Sequence, residues 1–161
     1  MAPTEFVPSR KDAATQGDGN GMQPKGYAVL YARLALGAAF LSAVASRFGL
    51  WHGTPGLGSF GNFLSYTAEV NAFMPAATIP YLAWAATLAE STLGIALLAG
   101  IRLRWAALGS ALLLAIFGAA MAVSLGPKSP LDYSVFSASA GALLLAQSAP
   151  PNHSSDRRRS S

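Results

Sequence analysis

A single carboxylate interrupts an apolar part of the sequence. Glu90 lies about half-way along residues 79–100, and an ionised group in hydrocarbon is costly unless it faces protein or water and has a partner. Ala83, Thr87 and Gly94 lie on the same helical face as Glu90, and small residues allow a second helix to approach closely. We therefore expect the Glu90 face to contact another helix.

Arg33, in the preceding apolar stretch, is the predicted partner of Glu90. It lies about seven residues inside one end of its stretch, and Glu90 lies about ten residues from the same end of the next. At 1.5 Å per residue their depths differ by only about 5 Å, within the reach of an arginine side chain. Gly37, one turn from Arg33, again permits close helix packing. Arg47 lies near the opposite surface and is the poorer match.

Two interpretations of the Arg33–Glu90 pair remain open. A buried ion pair can serve only to fix helix register and pairing. Alternatively, Glu90 carries a proton or holds a quinone-like ligand, since ionisable groups inside membranes often mark such sites. The sequence assigns no catalytic residue.

A second polar group is predicted near the opposite surface, where six polar residues have similar depth: Arg47, His52, Glu69, Asn71, Lys128 and Asp132. Together they would suit a small anion or a polar substrate. The alternative is that they are solvated boundary residues and helix caps. Asp132 in particular follows Ser129 and Pro130 in the pattern of a helix start, with Ser129 as the capping residue.

The inventory of reactive side chains narrows the chemistry. The absence of cysteine excludes thiol exchange and iron–sulfur clusters. There are two histidines, and His153 lies in a polar tail, so no metal or haem site is expected. The glycine-rich loop after Trp51 lacks the strand–turn–helix context of a nucleotide site. No cofactor is evident. The chain could move electrons only with a bound quinone or flavin, or through a partner, and quinone is the cofactor that we name as possible.

Composition places these residues in a membrane. The 161 residues are 52% apolar and only 11% charged, against roughly 25% charged in soluble domains. Four apolar stretches, each long enough to cross about 30 Å of hydrocarbon as a helix, cover residues 26–48, 79–100, 103–125 and 131–149. The predicted fold is therefore an all-α integral membrane bundle of four transmembrane helices, residues 26–149, between disordered tails at 1–25 and 150–161.

The longest connection, residues 49–78, is predicted to carry a short amphipathic helix. Its apolar residues recur at helical spacing: Phe63, Leu64, Thr67, Val70, Phe73 and Met74. Such a helix would lie on the outer surface or cap the bundle. A connector without any role in binding is the alternative.

Basic residues predict the orientation. They gather before the first stretch, between the second and third, and after the fourth, which places both termini on the cytoplasmic side of the membrane. Membrane orientation thus explains the net charge of +4. The predicted partner is the lipid bilayer, and no nucleic-acid partner is expected. Two alternatives are that the first stretch is a signal peptide cleaved after "AVA" at 43–45, and that Met22 is the true start.

Two segments resemble the DoxX-like family of small four-span bacterial membrane proteins, which is related to DoxD and MauE. They are "ARLALGAAFLSAVASRFGL", with Arg33 and Gly37, and the pattern formed by Glu90, Gly94, Leu97, Gly100 and Arg104. The resemblance covers roughly residues 26–149 and implies a four-helix bundle in a bacterial inner membrane.

The resemblance also implies a function. It favours an accessory or subunit component of a membrane redox system, with a soluble or membrane redox partner. The alternatives are a subunit of a quinone-linked, thiosulfate-type oxidoreductase and a carrier of small solutes. Assembly of several copies of the chain is compatible with each.

Overall fold

The computed structural model describes residues 24–51 and 58–149, and within these ranges the protein is helical and has no strand. The elements are α1 (Pro24–Arg47), α2 (Phe60–Val70), a 3-10 turn (Ala76–Thr78), α3 (Ile79–Ala99), α4 (Leu103–Leu125), α5 (Lys128–Asp132) and α6 (Val135–Ser148). The tails predicted to be disordered lie outside the described residues, except that α1 already includes Pro24 and Lys25.

Within the described ranges, three helices are long and apolar enough to cross a membrane. They cover residues 26–47, 76–99 and 103–125, close to the first three predicted spans. The protein is thus a multi-pass membrane protein. The fourth apolar segment differs from its prediction, because α6 has 14 residues and a length of roughly 21 Å, which is shorter than the hydrocarbon layer.

The fourth segment is short because its helix is broken. Ser134 has a left-handed backbone (φ 55°) between α5 and α6, a conformation that does not continue a helix. The predicted start at Ser129 is wrong, since α5 already begins at Lys128 after Pro127, and the structure shows no side-chain cap there. Asp132 instead forms an ion pair with Lys128, one turn earlier, and both side chains are exposed.

Glycines end α1 and α3 at defined positions. Gly49 and Gly100 have left-handed φ angles of 72° and 70°, and the amides around them bond back to the last turn as in a Schellman motif: Leu50 N to Ala45 O and Ile101 N to Ala96 O. Arg47 is therefore the last residue of α1, a position that decides its contacts.

The amphipathic helix expected in the long connection is α2. Ser59 caps it by accepting a hydrogen bond from the Asn62 amide. Phe63, Thr67 and Val70 are buried as the spacing predicts. Phe73 and Met74 lie beyond the helix end and are exposed, which corrects the predicted apolar face.

The helices pack as two antiparallel pairs, α1 with α3 and α4 with α6, joined through α3–α4 and α1–α6 contacts. We call the end that carries α2 and α5 the α2 end. The tightly packed core lies toward the opposite end, where it contains Phe40, Leu97, Ala106, Ala107, Leu145 and Ala146. The α2 end contains the site described next.

Candidate functional site

A pair of glycines fixes how α1 lies along α3. A Cβ on Gly37 would lie 3.1 Å from the Gly94 carbonyl oxygen, and a Cβ on Gly94 would lie 3.2 Å from the Gly37 carbonyl oxygen. The two backbones thus touch at this point, which only residues without side chains permit. This contact sets the register of the two helices.

The register separates Arg33 from Glu90. Arg33 lies opposite the end of α3, where its Nη2 donates a hydrogen bond to the Leu98 carbonyl oxygen (3.0 Å) and its guanidinium packs against Gly100. Leu98 is eight residues from Glu90, or about 12 Å along the helix. The predicted Arg33–Glu90 pair is therefore wrong, and Arg33 satisfies a free carbonyl at a helix C-terminus instead.

Glu90 pairs with Arg47. Arg47 Nη2 donates to Glu90 Oε1 (2.8 Å) and lies 2.6 Å from Oε2, while Arg47 Nη1 donates to Thr87 Oγ1 (2.9 Å). Arg47 is 6% exposed and Glu90 3% exposed. As the small residues around it predict, Glu90 faces a neighbouring helix, on the buried seam of Ala83, Thr87, Glu90, Gly94 and Leu97.

Helix α2 covers the ion pair. The Arg47 guanidinium lies 3.6 Å from the centroid of the Phe63 ring, a cation–π contact. Phe60, one turn earlier on α2, packs against Trp84 of α3 with ring centroids 4.7 Å apart. Because α1 ends at Arg47 while α3 continues beyond it, α2 occupies the space beside α3 that α1 leaves open.

A cavity of about 450 Å³ lies between α2, α3 and α4. On α3 it is lined by the stripe Leu82, Ala85, Ala86, Ala89 and Glu90, and on α4 by Leu113, Leu114, Ile116, Phe117, Ala120 and Met121. Arg47 and Glu90 are the charged side chains in its wall. Ala85 and Ile116 are exposed, so the rim reaches apolar helix surfaces that a bilayer would cover.

The cavity also has polar side chains at α2. Tyr66, Thr67 and Asn71 belong to its wall. Burial raises the pKa of the Tyr66 phenol, and the nearby Tyr133 and Glu69 raise it further. The Tyr66 hydroxyl is therefore neutral near neutral pH and keeps its proton as a hydrogen-bond donor.

The six residues predicted as a second polar group do not form one site. Arg47 and Asn71 line the cavity, Glu69 is exposed on α2, and Lys128 pairs with Asp132 on the surface. His52 lies outside the described residues. The predicted depths could not separate Arg47 and Asn71 from the other four residues, because depth alone does not show which side of a helix faces its neighbours.

Sequence reasoning missed most of the cavity wall. One signal was available on α3, where Leu82, Ala86, Ala89 and Glu90 follow helical spacing next to the buried seam. The stripe on α4 has no comparable signal, since every residue from Leu112 to Phe117 is apolar. In the described residues there is no group of three or more His, Asp or Glu side chains suited to a metal ion.

Comparison with known proteins gives one match. The sequence model of the family described as methylamine utilisation protein MauE matches residues 25–132, which is more than half of the chain and covers α1 to α5. No curated protein and no solved structure matches the chain. The match supports a MauE-type membrane family and does not single out the DoxX-like group, so the DoxX-like assignment stays a prediction.

Proposed function

The chain belongs to the methylamine utilisation protein MauE family, and from this membership and the buried site we propose that it is an accessory component of a membrane redox system. Its role in that system is to hold an apolar ligand of the quinone class in the cavity between α2, α3 and α4. The partner is a soluble or membrane redox protein, and the chain supplies no electron carrier of its own.

The observation that carries this proposal is an ion pair in the wall of an apolar cavity. Pockets that bind small molecules are mostly apolar, with few polar groups that orient the ligand. The cavity volume of about 450 Å³ lies within the usual range of roughly 300–1,000 Å³. A rim on lipid-facing helix surfaces suits a ligand that enters from the bilayer.

The chain's chemistry favours an accessory role over an enzyme that acts alone. It contains no cysteine, so it cannot pass electrons through thiols or iron–sulfur clusters. A ligand in the cavity would have to be reduced or oxidised by a partner. The DoxX-like resemblance and a bacterial inner-membrane location with cytoplasmic termini belong to the same proposal, and reporter fusions at both termini would test the orientation.

Ligand retention tests the proposal. The protein is purified from native membranes into lipid nanodiscs, and bound quinones and co-purifying proteins are identified by mass spectrometry against empty nanodiscs. Ala86→Phe would fill the cavity, because Ala86 lines it. Ala39→Phe is the matched control, since Ala39 is exposed on α1 and is not in the cavity wall.

We expect a ligand of the quinone class, in its oxidised or reduced form, to be retained by the wild-type chain and by Ala39→Phe, and its amount to fall at least about tenfold in Ala86→Phe. Retention at the level of empty nanodiscs would refute ligand binding. Reduction of quinone by thiosulfate with the chain alone would show an oxidoreductase instead of an accessory component. Accumulation of a solute in proteoliposomes without redox change would show a carrier.

A further inference from the structure

The carboxylate of Glu90 is incompletely bonded in the wall of the cavity. Oε1 accepts a hydrogen bond from Arg47. Oε2 is in ion contact with the same nitrogen, but it is buried and has no hydrogen-bond donor within the described part of the chain. An ionised carboxylate can accept about four hydrogen bonds, and the ion contact with Arg47 leaves part of this capacity of Oε2 unused, so a ligand that supplies a donor can gain affinity by bonding the carboxylate.

We propose that the cavity takes a neutral apolar molecule whose head donates a hydrogen bond from a hydroxyl group to the Glu90 carboxylate. This inference rests on the proposed ligand-binding function and names the ligand class. For a quinone-type ligand it means that the site prefers the reduced, hydroquinone form over the quinone.

The chemistry of the carboxylate sets this preference. An ionised carboxylate only accepts hydrogen bonds. Hydroquinone hydroxyls donate, whereas the oxygens of a quinone only accept. A quinone oxygen placed against Glu90 would leave two acceptors facing each other. The quinol instead forms a hydrogen bond to a charged group, and such bonds are among the stronger ones.

The charges of the wall favour a neutral head. Arg47 and Glu90 carry opposite charges and are in direct contact, so their sum is zero. The other wall residues are apolar or neutral. A charged head would be desolvated in this setting without a counter-charge of its own, which is costly.

The ligand reaches the carboxylate through a small movement. Oε2 is shielded from water by the surrounding side chains, while the Glu90 side chain belongs to the cavity wall. The last torsion of a glutamate side chain is soft, so rotation of the carboxylate can present an oxygen to the cavity, and the ligand's hydroxyl then compensates for the part of the Arg47 contact that the rotation weakens.

A set of matched ligands tests the inference on the unaltered protein. Short-chain benzoquinol, the corresponding benzoquinone and the dimethyl ether of the quinol share a ring and a tail, but only the quinol donates hydrogen bonds. Farnesol adds a hydroxyl head without the ring. Binding to the protein in nanodiscs is measured by ligand retention under anaerobic conditions, with empty nanodiscs subtracted.

We expect the quinol to bind at least about tenfold more tightly than the quinone and the ether. Tight binding of farnesol as well would support a site for hydroxyl heads in general, and weak binding of farnesol would support a quinol site. Equal binding of quinol, quinone and ether would overturn the inference but leave the proposed function intact. Binding of none of the four ligands would count against both.

Glu90→Gln provides a second test, because an amide both donates and accepts. The preference for quinol over quinone should shrink to about threefold or less in this variant. Ser91→Ala is the control, since Ser91 is the next residue on α3, is not in the cavity wall and donates its hydrogen bond to the Thr87 carbonyl oxygen of its own helix. An unchanged preference in a folded Glu90→Gln protein would overturn the inference.

Discussion

The partner of Glu90 can be established by a double-mutant cycle. Arg47→Met removes the positive charge while keeping an unbranched side chain, and Glu90→Gln removes the negative charge while keeping the shape. The same Glu90 variant combined with Arg33→Met forms the matched control cycle. The measured quantity is the free energy of unfolding of each single and double variant.

The contacts set the expected magnitude. The Arg47–Glu90 distances of 2.6 and 2.8 Å place the two charges in direct contact. At about 4 Å between charge centres and an effective dielectric constant near 20, the gross attraction is roughly 4 kcal/mol. Desolvation offsets part of it, so we expect a coupling energy of about 2–3 kcal/mol, the upper range for residues in contact.

The control cycle should give almost no coupling. The Arg33 contact at Leu98 lies about 12 Å along α3 from Glu90, and effects of residues this far apart usually add within about 0.5 kcal/mol. Arg47→Met alone should be the most destabilising change, by about 3–5 kcal/mol, because it leaves a buried carboxylate without its counter-charge.

The assay is reversible unfolding in mixed micelles as the fraction of dodecyl sulfate rises, followed by far-ultraviolet circular dichroism. A coupling energy larger for Arg33–Glu90 than for Arg47–Glu90 would refute the helix register described above. Coupling near zero in both cycles would refute the claim that the ion pair contributes to folding.

Two further predictions concern the backbone. Gly94→Ala should lower the free energy of unfolding by about 1–3 kcal/mol, because its Cβ would lie 3.0 Å from the Leu41 side chain and 3.2 Å from the Gly37 carbonyl oxygen. Gly141→Ala is the control. Its Cβ would meet nothing within 4 Å, so it should be neutral or stabilising in the same unfolding assay. Ser134→Val should destabilise by about 1 kcal/mol relative to Ser134→Gly, since a branched side chain is strained at φ 55°; equal thermal stability of the two variants would contradict this.

Much of the fold could be predicted from hydrophobicity alone. Helices α1, α3 and α4 lie close to the predicted apolar stretches, because a chain segment in hydrocarbon must satisfy its own backbone hydrogen bonds. The face of Glu90 could also be predicted, since small residues at helical spacing mark a contact with another helix. These inferences depend only on local sequence.

The break in the fourth apolar segment could not be predicted with the same rules. The sequence "KSPLDYS" matches a helix start, yet α5 ends at Asp132 and the chain turns at Ser134. The ring of Phe136 packs against Gly118 of α4, where a Cβ would lie 2.7 Å from it. Packing of α6 against α4 therefore outweighs the local preference for a continuous helix.

The sequence by itself determined that this is a helical membrane protein with a buried carboxylate on a helix-contact face. Only the tertiary structure decided which arginine meets that carboxylate. Counting residues from the ends of the apolar stretches assumes that neighbouring helices end at the same depth. The contact of Gly37 with Gly94 instead shifts α1 along the axis of α3. Arg47 therefore reaches Glu90, and α2 closes the space beyond α1, because close packing between helices and not equal depth determines their register.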